Sequence, residues 1–274
     1  MFNISVLMSV YIKEKSLCLE ESLNSIVNQT AFPNEIVIVK DGPLTEELDL
    51  VLNSFIKRFP SLFNIIELDK NYGLGYALSV GLKYCSNEII ARMDSDDIST
   101  PDRFKEQYQL IIDKEFDIVG ANIEEFNKCP GDLSIFRILP EMGPDIINFS
   151  KFRNPFNHPS VMFRKTIAIN SGNYNANYLL FEDWHLFVRM IQNGAKTYNL
   201  QKNLLYFRVS DKIDVIKRRS GIKYLISEFK FSLFLLTTRH ISFFEWIFYI
   251  IAKLPLRILP PSLIKVIYYK IARQ

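Results

Sequence analysis

Glu88-Ile89-Ile90-Ala91-Arg92-Met93-Asp94-Ser95-Asp96-Asp97 is a short apolar tract that runs without a break into three carboxylates. A run of that length suits a strand buried on both faces of a parallel sheet. The same kind of run occurs upstream at residues 4–10, at 35–39 (Glu-Ile-Val-Ile-Val) and at 63–68. Between these strands lie helical patterns: 20–28, carried by Leu19, Leu23, Ile26 and Val27, then 44–59, then 76–84 entered through the turn Gly73-Leu74-Gly75. Strand and helix therefore alternate up to the acidic tract, which implies a Rossmann-type α/β fold with a mostly parallel sheet flanked by helices. In such sheets ligands gather at the carboxyl ends of the strands, where Asp94–Asp97 and the turn Lys40-Asp41-Gly42-Pro43 both fall. Beyond the tract the pattern continues with a helix at 101–114 and a strand at 117–121, becomes irregular over 127–159, and resumes with a strand at 161–164, a helix at 182–192 and a closing strand at 204–209.

The bulk composition agrees with a folded α/β body that buries a substantial core. The chain has 274 residues, 48% hydrophobic and 23% charged, with an aromatic excess of 22 Phe and 13 Tyr. Cys18, Cys85 and Cys129 have no C-x-x-C spacing, so neither a disulfide framework nor a zinc site is expected. The N-terminal apolar run lacks a preceding basic region and reads as a strand rather than a signal peptide. Charge is uneven: residues 212–274 hold twelve Lys/Arg against three Asp/Glu, leaving 21 against 27 for residues 1–211. The division expected is a catalytic body over 1–210 and a basic amphipathic helical segment over 211–274.

Three carboxylates at one strand end repel one another unless a cation offsets them, and hard oxygen ligands favour Mg²⁺ or Mn²⁺. The competing reading makes Asp97 or Ser99 the N-cap of the helix that begins near Pro101. Asp41-Gly42 is either a ligand for a base or ribose or a plain turn. Glu182-Asp183 opens an amphipathic helix and can supply a general base, or serve only the helix dipole. His158 is a candidate acceptor or phosphate contact, against an ordinary structural histidine. Arg92 and Arg208 are candidates to face a diphosphate, whereas Lys217-Arg218-Arg219 better suits solvent or a lipid surface.

Taken in order, Ser-Val-Leu-Met-Ser-Val-Tyr (5–11), Leu-Asn-Ser-Ile-Val-Asn-Gln-Thr (23–30), Glu-Ile-Val-Ile-Val-Lys-Asp-Gly (35–42), Asn-Tyr-Gly-Leu-Gly-Tyr-Ala-Leu (71–78), Arg-Met-Asp-Ser-Asp-Asp (92–97) and Phe-Glu-Asp-Trp (181–184) resemble the inverting family 2 glycosyltransferases of the GT-A fold. The resemblance implies that Ser9, Tyr11 and Asp41 hold the nucleotide of a UDP-sugar, that Asp94 lies near the ribose, and that Asp96, with Asp94, serves the metal. It also implies Asp183 as the base, supported by Glu182. Two departures stand out: Lys40 replaces the first Asp of the usual Asp-Asp-Gly turn, and Arg208-Val209-Ser210 lacks the His often found there. Within the family the wording is most similar to bacterial O-antigen and exopolysaccharide enzymes. These add galactose or glucose, several of them in β-1,3 linkage, to an N-acetylhexosamine on undecaprenyl diphosphate.

Residues 222–252 are interrupted by Lys223, Glu228, Lys230, Arg239, His240 and Glu245, so they contain no uncharged span of membrane length. Basic residues interleaved with Leu, Ile and Phe instead suit helices lying on an anionic lipid surface, with a helical subdomain or dimer contact as the alternative; nucleic acid is not expected. The location implied is the cytoplasmic face of the bacterial inner membrane. Two other classes share some of these features: an Mg²⁺-dependent phosphotransferase with an Asp nucleophile, and a non-catalytic membrane-binding module.

Overall fold

A computed structural model describes residues 2–209 and 221–258 of the chain. The Lys217-Arg218-Arg219 run and the expected tail helix over 263–271 lie outside the described residues. Two compact units are formed, Met1–Ala176 with Glu182–Arg208, and Asn177–Phe181 with Val209–Gln274.

In the first unit the alternation read from the sequence is present as β1 (Ile4–Val10), α1 (Ser16–Val27), β2 (Glu35–Lys40), α2 (Glu46–Arg58), β3 (Phe63–Glu67), α3 (Leu74–Tyr84) and β4 (Ile89–Arg92). The four strands lie parallel in the order β3-β2-β1-β4. Side chains alternate between faces along each strand. Ile4, Val6 and Met8 of β1 join α1 and α2 residues such as Leu23, Leu52 and Phe55 in one core, while Leu7 joins Leu78 and Leu82 of α3 in the core on the opposite face. Burial on both sides is what makes these strands uninterrupted apolar runs. Local chemistry sets the helix ends: Thr45 Oγ1 accepts the Leu48 amide at 3.4 Å, and acidic Glu46, Glu47 and Asp49 occupy the first turn of α2. Gly81 lets α3 lie against the sheet, since a Cβ there would fall 2.6 Å from Leu7 Cδ1 and 2.7 Å from Val39 Cγ2.

After β4 come β5 (Ile98–Ser99), α4 (Arg103–Asp113), β6 (Ile118–Phe126), β7 (Ile135–Arg137), α5 (Pro144–Ser150), a 3₁₀ turn His158–Ser160, β8 (Met162–Arg164), α6 (Lys165–Asn170), α7 (Glu182–Gln192) and β9 (Thr197–Arg208). Here the sheet turns mixed. Strand β8 runs antiparallel to both β4 and β6, β9 runs parallel to β6, and β5 and β7 add as antiparallel pieces. The expected parallel arrangement thus describes one half of a nine-stranded mixed sheet.

The second unit contains α8 (Ile222–Thr237) and α9 (Phe243–Ile258). Phe181 stacks on Phe231 at 5.0 Å and meets Tyr224 edge-on. Glu228 on α8 is fully buried and is held by Arg257 Nε at 2.5 Å and by the Tyr249 hydroxyl at 3.3 Å, both from α9. Among the described residues no helix is long and apolar enough to cross a membrane.

Candidate active site

The acidic loop leaves β4 beside β1, with the Met93 amide donating to the Leu7 carbonyl at 3.1 Å. It is held from several directions. Ser22 Oγ donates to the Asp94 carbonyl at 2.9 Å, and Ser95 Oγ donates to Glu14 Oε2 at 2.6 Å. Arg208, at the end of β9, gives its backbone amide to Asp97 Oδ1 and its Nε to the Asp96 carbonyl, both at 2.8 Å, and pairs with Glu21 through Nη2. The Arg208 guanidinium lies against the loop it braces, because β9 pairs with β5 and brings Arg208 alongside Asp96–Asp97.

One carboxylate oxygen from each of Asp94, Asp96 and Asp97 lies within 4.8 Å of the other two. Burial, then Asp94 and Glu14, push the Asp96 carboxyl up to about 7. Burial, then Asp94 and Asp96, raise Asp97 well above the usual carboxylate range, and its Oδ2 is buried without a hydrogen-bond partner. Carboxylates crowded this way hold protons or a cation, and the all-oxygen donor set fits Mg²⁺ or Mn²⁺. Helix capping is not their role: α4 begins at Arg103 with Asp102 at its N-cap, so neither Asp97 nor Ser99 caps it.

Behind the loop sit two buried arginines. Arg92 is 1% exposed, pairs with Asp94 through Nη2, and has no hydrogen-bond partner for Nε or Nη1. Arg103 is fully buried and spends its donors on Arg92 O at 2.7 Å, Met93 Sδ at 3.2 Å and Gln107 Oε1 at 3.0 Å. Burial, aided by Arg92, brings the Arg103 guanidinium down to about 9. Gln107 extends the brace to the carbonyls of Val119 at 2.8 Å and Ser160 at 2.7 Å. Sequence reading passed over Arg103 and Gln107; their place two and six residues after Pro101, facing inward on an amphipathic helix, was the available signal.

On the same rim, at the end of β2, Asp41 is buried. Its Oδ1 accepts the Tyr72 amide at 2.7 Å and its Oδ2 the Gly73 amide at 3.0 Å, which ties β2 to the entrance of α3. Gly42 is required beside it: φ is +89°, and a Cβ would lie 2.7 Å from the Asn71 nitrogen. Ser9 lies in β1 opposite Val39, and Tyr11, just beyond the strand, is 40% exposed. Lys40, the departure from the usual acidic turn, pairs with Asp49 at 2.8 Å and Glu67 at 2.6 Å and so neutralises the far side of that turn.

The start of α7 carries Glu182 and Asp183. Glu182 is buried, and its Cβ would be 3.0 Å from a Cβ at Gly75. Asp183 Oδ1 accepts the Trp184 amide and Oδ2 accepts Asn154 Nδ2, each at 2.7 Å. His158 Nδ1 lies 4.0 Å from Asp183 Oδ2, and its Nε2 meets the Tyr174 hydroxyl at 2.9 Å. Burial, then the Arg92 charge, hold His158 well below its usual range, so it is neutral. The structure therefore gathers the expected residues into three groups: Arg92 with Asp94, Asp96 and Asp97; His158 with Asp183; and Asp41 with the α3 entrance. Asn154, Tyr174 and Glu14 are polar partners that sequence reading did not single out.

The Glycosyl transferase family 2 model matches residues 5–170. The chain is 38% identical to the UDP-Gal:alpha-D-GlcNAc-diphosphoundecaprenol beta-1,3-galactosyltransferase of Escherichia coli, over 98% of this chain and 96% of that one. It is 36% identical to the amylovoran biosynthesis glycosyltransferase AmsE of Erwinia amylovora, over 97% and 98%. In fold it is similar to S. aureus TarS 1-349 in complex with UDP-GlcNAc, with TM-score 0.66, 19% identity, and coverage of 84% of this chain and 66% of that one; it spans 44% of the longer TarS chain. The mannosyltransferase PcManGT of Pyrobaculum calidifontis, in complex with GDP-Man and Mn2+, gives TM-score 0.60 at 15% identity, over 99% and 81%.

Proposed function

Because this chain belongs to glycosyl transferase family 2, we propose that it moves a hexose, galactose before glucose, from a UDP-sugar to an N-acetylhexosamine carried on undecaprenyl diphosphate. The linkage proposed is β-1,3, in assembly of an O-antigen or exopolysaccharide repeat unit. The observation that carries the reading is the convergence of Asp94, Asp96 and Asp97 at the end of β4. The name of the Escherichia coli relative supports the choice of donor and acceptor.

In this account Ser9, Tyr11 and Asp41 receive the nucleotide along the ends of β1 and β2, and Asp94 meets its ribose. Asp96 and Asp94, with Asp97 beside them, would hold Mn²⁺ or Mg²⁺. When bound, that ion supplies positive charge to the diphosphate leaving group. Arg92 balances Asp94 from within the core, and Arg208 fixes the loop from outside. Asp183, supported by Glu182, takes the proton of the acceptor hydroxyl as that oxygen attacks the anomeric carbon opposite the leaving UDP. One in-line displacement converts an α-linked donor into a β-linked product. Neutral His158, reaching toward Asp183, contacts the acceptor or its phosphate. No Asp nucleophile is needed, which sets the phosphotransferase class aside.

The segment 211–274 is proposed as a peripheral contact with the cytoplasmic face of the inner membrane. On α9, Phe244 (81% exposed), Ile247, Phe248 (63%) and Ile251 (68%) recur at helical spacing and share one stripe. Exposed Ile222, Ile226 and Phe229 form a similar stripe on α8, and exposed Lys223 and Lys230 lie on that helix too. A lipid-linked acceptor confines the substrate to the surface that such stripes and cations favour. Flotation with anionic vesicles tests this: Phe244→Ser with Phe248→Ser should leave the protein unbound, and equal binding by this variant would overturn it.

Function itself is tested by incubating purified protein and Mn²⁺ with a panel of UDP-sugars, with and without a polyprenyl-diphosphate N-acetylglucosamine. Acceptor-dependent release of UDP from one UDP-hexose is the expected result. Absence of turnover with every donor would overturn the proposal.

A further inference from the structure

We propose that Asn154 is a positioning residue that orients the Asp183 carboxylate for proton abstraction; the inference rests on the reading of Asp183 as the base. Asn154 lies 29 positions before Asp183, and its Nδ2 donates to Asp183 Oδ2 at 2.7 Å. The orientation of its amide is set locally, because the Phe156 backbone N–H donates to Asn154 Oδ1 at 3.3 Å. With Oδ1 engaged there, the donor end is the end that faces the carboxylate. The opposite flip would set two acceptor oxygens against each other.

The loop bearing Asn154 is strapped to α7 on both sides of the residue. Trp184 Nε1 donates to the Ser150 carbonyl at 2.9 Å, and the buried Phe156 ring meets Phe187 edge-on at 5.0 Å. Asn199 Nδ2 reaches the Pro155 carbonyl at 3.0 Å from β9. Asn154 is thus placed by contacts to the same helix that carries the base. With Oδ1 of Asp183 accepting the Trp184 amide, Asn154 fixes the rotation of the second oxygen. The plane of the carboxylate is thereby fixed relative to an incoming hydroxyl. During transfer the acceptor hydroxyl proton passes to Asp183, its oxygen bonds to the anomeric carbon, and UDP departs with the electron pair of the broken bond. Asn154 touches none of the reacting atoms.

Two variants separate this role from loop packing. Asn154→Asp is isosteric and still accepts the Phe156 amide, so it retains the loop while replacing the donor with a second carboxylate. Asn154→Ala removes both bonds and avoids the added charge. Steady-state transfer is measured with UDP-galactose, Mn²⁺ and a polyprenyl-diphosphate N-acetylglucosamine, beside Asp183→Asn and thermal melts of each protein. The expected result is a fall in kcat of about 100-fold for Asn154→Asp and about 10-fold for Asn154→Ala, with the KM for UDP-galactose unchanged. Wild-type kcat in both variants overturns the proposal, as does a loss accompanied by a matching rise in donor KM and a lowered melt. If Asp183→Asn abolishes transfer while both Asn154 variants stay active, only the positioning role fails. If Asp183→Asn remains active, the base assignment fails first and the positioning role with it.

Discussion

Binding of Mn²⁺ to the acidic loop should be coupled to proton release, and the structure sets the size of that coupling. The Asp96 carboxyl is pushed up to about 7 from its ordinary 3.8, by burial and then by Asp94 and Glu14, and Asp97 is raised in the same direction. The metal-free loop therefore holds a proton on Asp96 through mildly acidic pH, and a cation must displace it. For one displaced proton the apparent affinity rises about tenfold per pH unit well below about 7 and about 50-fold between pH 5 and pH 7, because the slope flattens as pH reaches the Asp96 value; Asp97 steepens it further. The sign for stability is opposite without metal. A folded-state value above the unfolded one favours the fold at low pH, and that contribution is lost as pH rises from about 4 through about 7. Titration calorimetry with Mn²⁺ at pH 5, 6 and 7, in two buffers of different ionisation heat, reads both affinity and protons released. Asp96→Asn should bind more weakly and with a flatter pH dependence. Affinity that is constant from pH 5 to pH 7, with no proton released, would show that the loop carries no proton for the metal to displace.

Arg208→Met should lower Mn²⁺ affinity about tenfold, because the loop loses its bond to the Asp96 carbonyl and the link to Glu21, with the melt lowered by only a few degrees. Gly42→Ala should destabilise the body by about 1–3 kcal/mol in urea melts and raise the donor KM. The new methyl meets the Asn71 nitrogen at 2.7 Å and displaces the Asp41 turn. Glu228→Ala should remove the buried carboxylate that the partly exposed Arg257 pairs with and cost the helical unit about 1–3 kcal/mol, seen as faster proteolysis between α8 and α9. The milder Glu228→Gln should retain part of that stability.

The first half of the fold is legible because β1, β2 and β4 are covered on both faces, which forces continuous apolar runs onto the sequence. Past β4 that constraint lapses. Strand β9 spans Thr197–Arg208, yet its Gln201-Lys202-Asn203 stretch is exposed and reads as a loop, so only 204–209 was recognisable. The two residues of β5, the three of β7 and the seven of α5 are too short to show a period. At the site, carboxylates at strand ends could be found from position alone. Arg208 could not be oriented that way, since its direction depends on β9 pairing with β5 and on Glu21, 187 residues away. Asn154, Gln107 and Tyr174 are ordinary polar residues until folding sets them against Asp183, Ser160 and His158.

The most direct test of the account is the anomeric configuration of the linkage formed from UDP-galactose by the wild-type protein, followed by NMR, with Asp96→Ala and Asp183→Ala run in parallel. The wild type alone should form a β-linked product, with both substitutions silent and Asp183→Ala still binding the donor. An α-linked product, or β-linked product surviving either substitution, would contradict it.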